Sequence, residues 1–551
     1  MRTKFHRWSV LLSLLTAFAL TVAACAPQES SDGGGGSSSA EGEPQQGGTV
    51  VFGAEQEPAG SLNSDLAASS LFWGAMIMSQ VIEGAYEVQP DFTYEPNLID
   101  GEAEVDEGPP FTVTYNILEE AQWSDGTPVT ADDFEFTLDT ILDPKVDIAS
   151  TDGYDLITKT EVVDDKTITF TFKEPFAPYK EIFNHIYPKH AIEGEDFNKV
   201  WTNCICDKQG EPIGTGPFLI TDYKKGSELT TSRNEEYWGE HKAYLDEVVW
   251  RFTTDTNTEI QSLRGEEVDL IYPQPQLELT ALEEVPGVEI ISGFGATWEH
   301  VDFQQKNPLL AERFVRQAIS YGIDRDAIVE RLLQKINPDS EVLQNLIYVA
   351  NQDEYEPHFQ TYDFDPDKAT QLLEDNGCTE GSGGIYECNG EPLSFGFKST
   401  SGNALRELTF EVIQQQLKDV GIEVNSEFGE ADIVFTDLAE RKYDIFMFAW
   451  VGSADPFSGN TIWECGGDQN YQGSCEPEAT KLLKQTTSIL DPAERADVYN
   501  QADAIMAEDV PVLPLYQKPT YLAYFDKLHN IEDNATNEGP FFNSEDWWID
   551  E

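Results

Sequence analysis

Carboxylates are the commonest reactive side chains of this chain, since its 551 residues include 101 Asp and Glu against 34 Lys and Arg. Two carboxylates that flank a glycosidic bond could serve as general acid and as nucleophile or base. Because acids occur throughout the sequence, no pair stands out from a solvated acidic surface. The sequence contains no Walker A, HExxH, GxSxG or calcium-type DxDxDG motif. We therefore expect no enzymatic activity, and a secreted hydrolase with two carboxylates beside its cleft is the alternative.

Cysteines form the second reactive set. Six of the seven fall into the local pairs Cys204/Cys206, Cys378/Cys388 and Cys465/Cys475. An oxidising compartment favours three disulfides, and among the fifteen possible connectivities we favour the three local ones. The pair Cys204/Cys206 would close a very small and therefore strained ring. Zinc is the alternative, but the seven histidines form no cluster beside CxxC-type spacing, so we expect neither a metal nor another cofactor.

The remaining cysteine, Cys25, follows a segment with the organisation of an export signal, residues 1–24. Basic residues at positions 2, 4 and 7 precede an apolar run over residues 10–22, which is too short to span a hydrocarbon core of about 30 Å. The VAAC sequence that ends at Cys25 resembles a lipobox, whose cysteine receives a diacylglyceryl group, and an ordinary cleavage site is the alternative. Residues 25–48 would then form a lipidated, flexible tether. We expect a protein anchored by lipid to the outer face of the cytoplasmic membrane, at the cell surface or in the periplasm.

The charge balance narrows the choice of partners. The formal net charge is −67 and the pI is about 4.1, so we expect no nucleic-acid partner. A solvated shell suited to a saline or alkaline exterior, attraction of cationic ligands, and calcium binding are the three interpretations of this surface. A chain of this length also exceeds a single hydrophobic core, and we expect at least two compact bodies.

The elements that must position these residues indicate an α/β fold. A β-branched run starts the globular part near Thr49, and turn-rich strands dominate the first half. Thr130 with Asp133 predicts a capped helix from residue 131, and Asp365 and Asp491 each precede a helix that begins with proline. A strand–helix–strand unit over residues 393–428 predicts a parallel strand pair. The difference between the halves predicts two unlike lobes.

A series of spaced motifs carries the more specific prediction. The strongest are WSDGTPVTADD at residues 123–133 and GTGPF at 214–218; RNEEYW at 233–238, VRQAI at 315–319, GIDR at 322–325, YDIF at 443–446 and PVLPLY at 511–516 follow in order. Together they closely resemble the extracellular solute-binding protein family 5, the oligopeptide and dipeptide receptors of bacterial ABC importers. The resemblance extends from Thr49 to about Phe525.

The resemblance implies a type II periplasmic-binding-protein clamshell of the large peptide-receptor class. Its first lobe would comprise residues 49–295 and 516–551, with a subdomain near 91–213, and its second lobe residues 296–515. The chain would cross between lobes near residues 295–296 and return near residues 514–516. A peptide or similar small solute would bind between the lobes of a monomer, and the closed form would be presented to the transmembrane subunits of an ABC permease. A metal chelate or a sugar is the alternative cargo.

The resemblance also suggests ligand contacts. Trp450 and the exposed loop after it match the loop that, in peptide receptors, carries an Asp three residues after the Trp to hold the peptide ammonium. Here that position is Ser453, and Asp455 could reach the same charge or cap the turn before Pro456. The other predicted contacts are Trp298, Ser69 and Tyr516.

Overall fold

The computed structural model describes residues 43–430 and 433–550. The predicted export signal (1–24), Cys25 and the predicted tether as far as residue 42 lie outside the described residues, so the lipid anchor stays a prediction. In the described part of the chain, no helix combines the length and the apolar character that crossing a bilayer requires.

Two mixed sheets organise the protein, and the predicted α/β class and two-lobed architecture are confirmed. In the first, a seven-stranded sheet, Thr49–Ala54 pairs in parallel with Glu247–Phe252 and with Leu270–Ile271. Its remaining strands are Val288–Ile291, Leu522–Phe525, Glu228–Arg233 and Phe218–Lys224. In the second, a five-stranded sheet, the strand order is Glu423–Ser426, Ser394–Lys398, Ile445–Val451, Phe294–Phe303 and Val512–Pro519. Each sheet has its own hydrophobic core.

The chain passes between the two sheets at two adjacent places. Ser292 and Gly293 connect Val288–Ile291 to Phe294–Phe303, and Thr520 lies on the return path between Val512–Pro519 and Leu522–Phe525. The two connections are hydrogen-bonded together, because the Gly293 amide donates to the Thr520 hydroxyl at 2.9 Å and the Thr520 amide donates to the Gly293 carbonyl at 2.9 Å. The return therefore lies a few residues after positions 514–516, because the strand Val512–Pro519 continues to pair in the five-stranded sheet.

A further antiparallel sheet and the longer helices complete the fold. The four-stranded sheet contains Glu104–Asp106, Phe111–Asn116, Thr167–Phe172 and Ile157–Asp164. Helices of at least two turns span Phe72–Ser79, Ala131–Ile141, Thr256–Arg264, Arg313–Tyr321, Pro366–Asp375, Ala404–Asp419, Pro477–Thr486 and Pro492–Asp509.

The local predictions for the helix starts and the parallel strand pair are confirmed. Thr130 and Asp133 form a capping box at the start of Ala131–Ile141. Asp365 and Asp491 each accept a hydrogen bond from a backbone amide in the first turn of the helix that follows. Ser394–Lys398 and Glu423–Ser426 pair in parallel on either side of the helix Ala404–Asp419. These features depend on residues close together in sequence, which is why sequence patterns can specify them.

Three local disulfides are present, as expected from the cysteine spacing. Cys204 pairs with Cys206, Cys378 with Cys388, and Cys465 with Cys475. The pair Cys378–Cys388 joins the end of the helix Pro366–Asp375 to the small hairpin strand Tyr386–Cys388.

Candidate functional site

One cavity has a volume of about 540 Å³. Most of its wall comes from three segments on the side of the seven-stranded sheet, within residues 64–97, 181–185 and 536–545. The opposite wall contains Val451, Ser453 and Ala454, which follow the strand Ile445–Val451 of the five-stranded sheet. We call this the acidic cavity, for the carboxylates described below. It is bounded by residues associated with both sheets, and its volume is within the range of small-molecule sites.

The GTGPF motif positions one side of this cavity. The amides of Thr215 and Gly216 both donate to the Val81 carbonyl at 3.0 Å, and the Glu83 amide donates to the Thr215 hydroxyl at 3.0 Å. A Cβ at Gly216 would lie 2.2 Å from the Gln80 carbonyl oxygen, so only glycine permits this approach. The motif therefore holds the segment that carries Gln80 and Glu83 into the cavity wall.

The other two motifs of the first half act on the same segment. The Ser124 amide of the WSDG turn donates to the Gly214 carbonyl at 2.8 Å, which supports the GTGPF turn from behind. In RNEEYW, the Asn234 side-chain amide donates to the Gly216 carbonyl at 2.9 Å. The same motif supplies Trp238, whose indole N–H donates to Glu83 at 2.9 Å. Three motifs that are far apart in sequence thus converge on one short cavity-lining segment.

Six carboxylates line the acidic cavity: Asp65, Glu83, Glu87, Glu181, Glu538 and Glu545. Burial, together with neighbouring acids, raises the pKa of Glu83 to about 8 even though Trp238 donates to it. Burial and the nearby Glu538 raise the pKa of Glu87 to about 8 as well. Burial is also the main cause at the other three glutamates: it raises the pKa of Glu181 to about 8 and that of Glu545 to about 7, and it raises the pKa of Glu538 although His185 acts in the opposite direction.

Asp65 differs from the five glutamates because it has a cationic partner. The Nδ1 atom of His185 lies 3.0 Å from Asp65, and the Tyr187 hydroxyl donates to the same carboxylate at 2.6 Å. Burial by itself would raise the pKa of Asp65, but these two partners outweigh it and lower that pKa. His185 is the only histidine, lysine or arginine among the residues that line the cavity in the described part of the chain.

A second cavity, of about 260 Å³, is lined by the rings of Trp298, Trp450 and Trp463. We call it the aromatic cavity. Trp298 and Trp450 are cross-strand partners in the five-stranded sheet, and Trp298 stacks on Trp463 with ring centroids 6.4 Å apart. Trp298 is only 5% exposed. The structure therefore brings together two of the predicted contact residues.

Ser453 and Asp455 lie at the boundary between the two cavities. Ser453 lines both, and its hydroxyl lies 2.7 Å from the Ser458 hydroxyl. Asp455 is 6% exposed, accepts from the Phe457 amide at 3.0 Å and forms an ion pair with Arg495 at 2.7 Å. These contacts match the turn-cap interpretation of Asp455, and its role as an ammonium anchor stays a prediction.

Ser69 and Tyr516 are placed differently from the tryptophans. The Ser69 hydroxyl donates to the Asn63 carbonyl at 2.6 Å and its amide donates to Leu66, while the next residue, Ser70, lines the acidic cavity. Tyr516 is fully buried in the core of the five-stranded sheet and lines neither cavity, because its strand is covered on both faces. The structure therefore does not bring Tyr516 together with the other predicted contacts.

The sequence interpretation missed the cavity glutamates. Glu83 and Glu87 come from one segment and Glu538 and Glu545 from a distant one, in a chain in which acids are everywhere. A local signal did exist at Glu83, which follows Val81 and Ile82 and precedes a glycine and an alanine, so that an acid interrupts an apolar run. Among the described residues, no three His, Cys, Asp or Glu side chains are arranged to hold a metal ion.

Comparison with known proteins places the chain in a family. Residues 93–472 match the sequence profile described as bacterial extracellular solute-binding proteins, family 5 Middle. The oligopeptide-binding protein AppA of Bacillus subtilis is 27% identical over 564 residues, with 98% of each chain covered. The oligopeptide-binding protein OppA of Mycobacterium tuberculosis (strain H37Rv) is 27% identical over 470 residues, which cover 83% of this chain and 78% of that protein.

Solved structures agree with this assignment. A periplasmic EDTA-binding protein, EppA, superposes with a TM-score of 0.85 at 25% identity and covers 93% of this chain and 98% of its own. The Bacillus subtilis AppA structure, in complex with a nonapeptide, has a TM-score of 0.77 at 25% identity and covers 92% and 100%. The family profile spans more than half of the chain, and both structures share its clamshell fold. The protein therefore belongs to the bacterial extracellular solute-binding proteins of family 5.

Proposed function

We propose that this protein is the substrate-binding receptor of an ABC importer, which captures a peptide or peptide-like small solute and presents it to the membrane permease. The observation that carries the proposal is the 540 Å³ cavity, whose walls come from residues associated with both sheets. A ligand that contacts both walls favours the closed state, because closure adds contacts that the open state lacks. The relatives are named as peptide-binding proteins, which supports peptide as the cargo class.

We further propose that the two connections between the sheets act as the hinge. The lobes would then be close to residues 49–295 plus 516–551, with the subdomain near 91–213, and residues 296–515. The hydrogen-bonded crossings at Gly293 and Thr520 favour boundaries at those two residues instead. Gly295 lies next to this hinge, and a Cβ there would lie 1.7 Å from the Ala535 carbonyl oxygen, so substitution by alanine should disturb the hinge.

Four of the six predicted contact residues retain their proposed roles at this site. Trp450, Trp298 and Ser453 line cavities on the second-lobe side, and Asp455 lies beside them. We propose that they form the second-lobe wall against the cargo, with Ser69 supporting the loop that carries Ser70. Tyr516 would act only through the packing of its strand.

Calorimetry and scattering test the proposal directly. The purified protein should bind one peptide from a mixture of di- to pentapeptides and become more compact in small-angle X-ray scattering. Mass spectrometry of the mixture should show no new product. Product formation would favour the secreted hydrolase instead, and binding of a metal chelate or a sugar, with no peptide bound, would contradict the peptide assignment. Sedimentation should show a monomer.

Membrane attachment is a separate proposal that depends on Cys25. Replacing Cys25 by serine removes the thiol that would receive the lipid, so the Cys25→Ser variant should move from the membrane fraction to the soluble extracytoplasmic fraction. Cys465→Ser together with Cys475→Ser is the matched control, because it removes thiols without removing the predicted lipid site. Persistence of Cys25→Ser on membranes would contradict the anchor.

A further inference from the structure

The charges that line the acidic cavity are unbalanced. Five of its glutamates, Glu83, Glu87, Glu181, Glu538 and Glu545, form no ion pair with any described lysine, arginine or histidine. The nearby cations have other partners: His185 pairs with Asp65 at 3.0 Å, Arg495 with Asp455 at 2.7 Å, Lys180 with Glu102 at 2.7 Å, and His241 with Asp546 at 2.9 Å. The cavity thus gathers five carboxyl groups that form no ion pair with a cation in the described part of the protein.

Some buried acids elsewhere in the protein are balanced by a cation. Glu299 is 1% exposed and pairs with Arg406 at 2.7 Å, and Asp509 pairs with Arg316 at 2.5 Å. Glu259 is buried without a cation, but it lies outside the cavity. A buried carboxylate without a cationic partner is costly, and five that share one cavity also repel one another.

The hydrogen bonds of the cavity glutamates hold them in place without supplying positive charge. Glu83 accepts from the Trp238 indole at 2.9 Å and from the Tyr237 hydroxyl at 3.4 Å. Glu87 accepts from the Gln89 side chain at 3.1 Å. Glu181 accepts from the Tyr94 hydroxyl and, at 3.2 Å, from the Asp455 amide. Neutral donors orient these carboxylates, so a ligand would meet a fixed array of acceptors.

Gln80 is an independent indication of a ligand. It lines the cavity and is only 3% exposed, and its side-chain nitrogen donates to the Ser544 hydroxyl at 3.1 Å. Its side-chain oxygen is buried and has no hydrogen-bond partner among the described residues. A buried carbonyl oxygen of this kind requires an N–H or O–H donor.

Aromatic rings complete the lining. Tyr86, Tyr94 and Tyr237 border the same space as the glutamates. The faces of such rings attract ammonium and guanidinium groups. The Nζ atom of Lys180 lies 5.1 Å from the centre of the Tyr86 ring, so this ring already contacts a cation of the protein itself.

We propose that the acidic cavity selects a ligand with two or more amino or guanidinium groups, which the glutamates bind and the Gln80 oxygen helps to orient. This inference rests on the proposed function and deepens it by naming the ligand class. The same chemistry occurs in short lysine- or arginine-rich peptides and in free linear oligoamines. Negative charge in the cavity also disfavours anionic cargo, because a bound anion would be repelled by the glutamates.

Calorimetry with matched probes tests the inference. Trilysine, trialanine and triglutamate have the same backbone and differ in charge, and spermidine supplies amines without a peptide. We expect trilysine to bind at least ten-fold more tightly than trialanine, with an affinity that falls as NaCl is raised, and triglutamate to show no binding. Binding of spermidine but not trilysine would support the cationic class and identify a free oligoamine as its source.

Two outcomes would overturn the inference. Equal affinities for trilysine and trialanine would do so while leaving the receptor function intact. Failure of both trilysine and spermidine to bind would also overturn it. Binding of a peptide from the mixture of di- to pentapeptides would then test the receptor function separately.

Variants assign the effect to the cavity. Glu87→Gln with Glu538→Gln removes two ionisable carboxyl groups at nearly constant shape, and we expect it to weaken trilysine binding at least ten-fold with little effect on trialanine. Glu391→Gln is the matched control, because Glu391 is an exposed acid on a distant hairpin strand and its loss should leave affinity for trilysine unchanged. Thermal melting of each variant checks folding. An equal loss of affinity in the control would contradict the assignment to the cavity.

Discussion

The acidic cavity and the aromatic cavity share part of their wall, since Val451 and Ser453 line both, yet they are built in opposite ways. Cross-strand neighbours build the aromatic cavity, with Trp298 opposite Trp450 in one sheet. The acidic cavity is assembled from segments that are remote in sequence, and five of its six carboxylates have no cationic partner within the described part of the protein. Packed aromatic rings are typical of a rigid wall. Buried carboxylates without a cationic partner, in a cavity, mark a candidate binding site for a cationic ligand.

The boundary between the cavities offers one of the two largest expected effects on stability. Asp455→Ala would leave Arg495, whose side chain is 17% exposed, without its carboxylate partner, and we expect the free energy of unfolding to fall by about 3 kcal/mol. Urea unfolding measures this change. Arg495→Ala combined with Asp455→Ala should recover part of the loss, because no unpaired charge then remains. Full stability of Asp455→Ala, with loss of peptide binding, would instead support Asp455 as a free ammonium anchor.

Substitutions in the two walls should separate packing from charge. Trp298 is nearly fully buried against His300 and Trp463, so Trp298→Ala should lower the free energy of unfolding by about 3 kcal/mol. Glu87→Gln should not lower it at pH 9, because the neutral amide replaces a carboxylate that has no cationic partner. Urea unfolding of both variants at that pH measures the difference. Equal destabilisation would mean that the acidic wall, too, is held chiefly by packing.

The smallest expected effect is the change in trilysine affinity with pH, which tests whether the acidic cavity, unlike the aromatic one, binds its ligand through charge. The pKa values of Glu83, Glu87 and Glu181 are each about 8, so these groups are largely protonated at pH 6 and lose protons towards pH 8. Glu538 and Glu545 face the same space with raised pKa values. We therefore expect trilysine affinity to rise about ten-fold from pH 6 to pH 8, with proton release on binding. Calorimetry in buffers of different ionisation enthalpy measures the released protons.

The other charged groups around the cavity do not reverse this direction. Burial by itself would lower the pKa of His185, but Asp65 outweighs it and raises that pKa, so His185 also becomes less positive as the pH rises. Arg495 is paired with Asp455 at 2.7 Å. An affinity that is flat or falls between pH 6 and pH 8 would contradict the assignment of the glutamates to cation binding.

The ligand-free protein should show the opposite trend in stability. A glutamate has a pKa near 4.5 when unfolded, whereas three of these have folded-state pKa values of about 8. Between these values the folded state binds more protons, so the free energy of unfolding falls as the pH rises through this window and levels off above it. Glu87→Gln should make that decline shallower in urea titrations from pH 5 to pH 9.

Parts of the site were predictable because they depend on local or cross-strand patterns. The turn at Ser124, the close approach required at Gly216 and the cap at Thr130 all belong to short motifs. Trp450 was predicted as a contact from the resemblance of its strand and exposed loop to the corresponding loop of peptide receptors. The role of those motifs in holding Gln80 and Glu83 was not predictable, because the contacts join residues from separate parts of the chain.

The amino-acid sequence alone determined the α/β class, the family, the local disulfide pairs and the helix starts, since each follows from periodicity, spacing or short motifs. Only the tertiary structure decided which of the many acids face one another. Glu181, Glu538 and Glu545 are unremarkable as sequence positions, and their neighbours in space are set by how distant segments pack together. The physical reason is that the cost of gathering like charges depends on separation and burial, and neither quantity exists until the chain has folded.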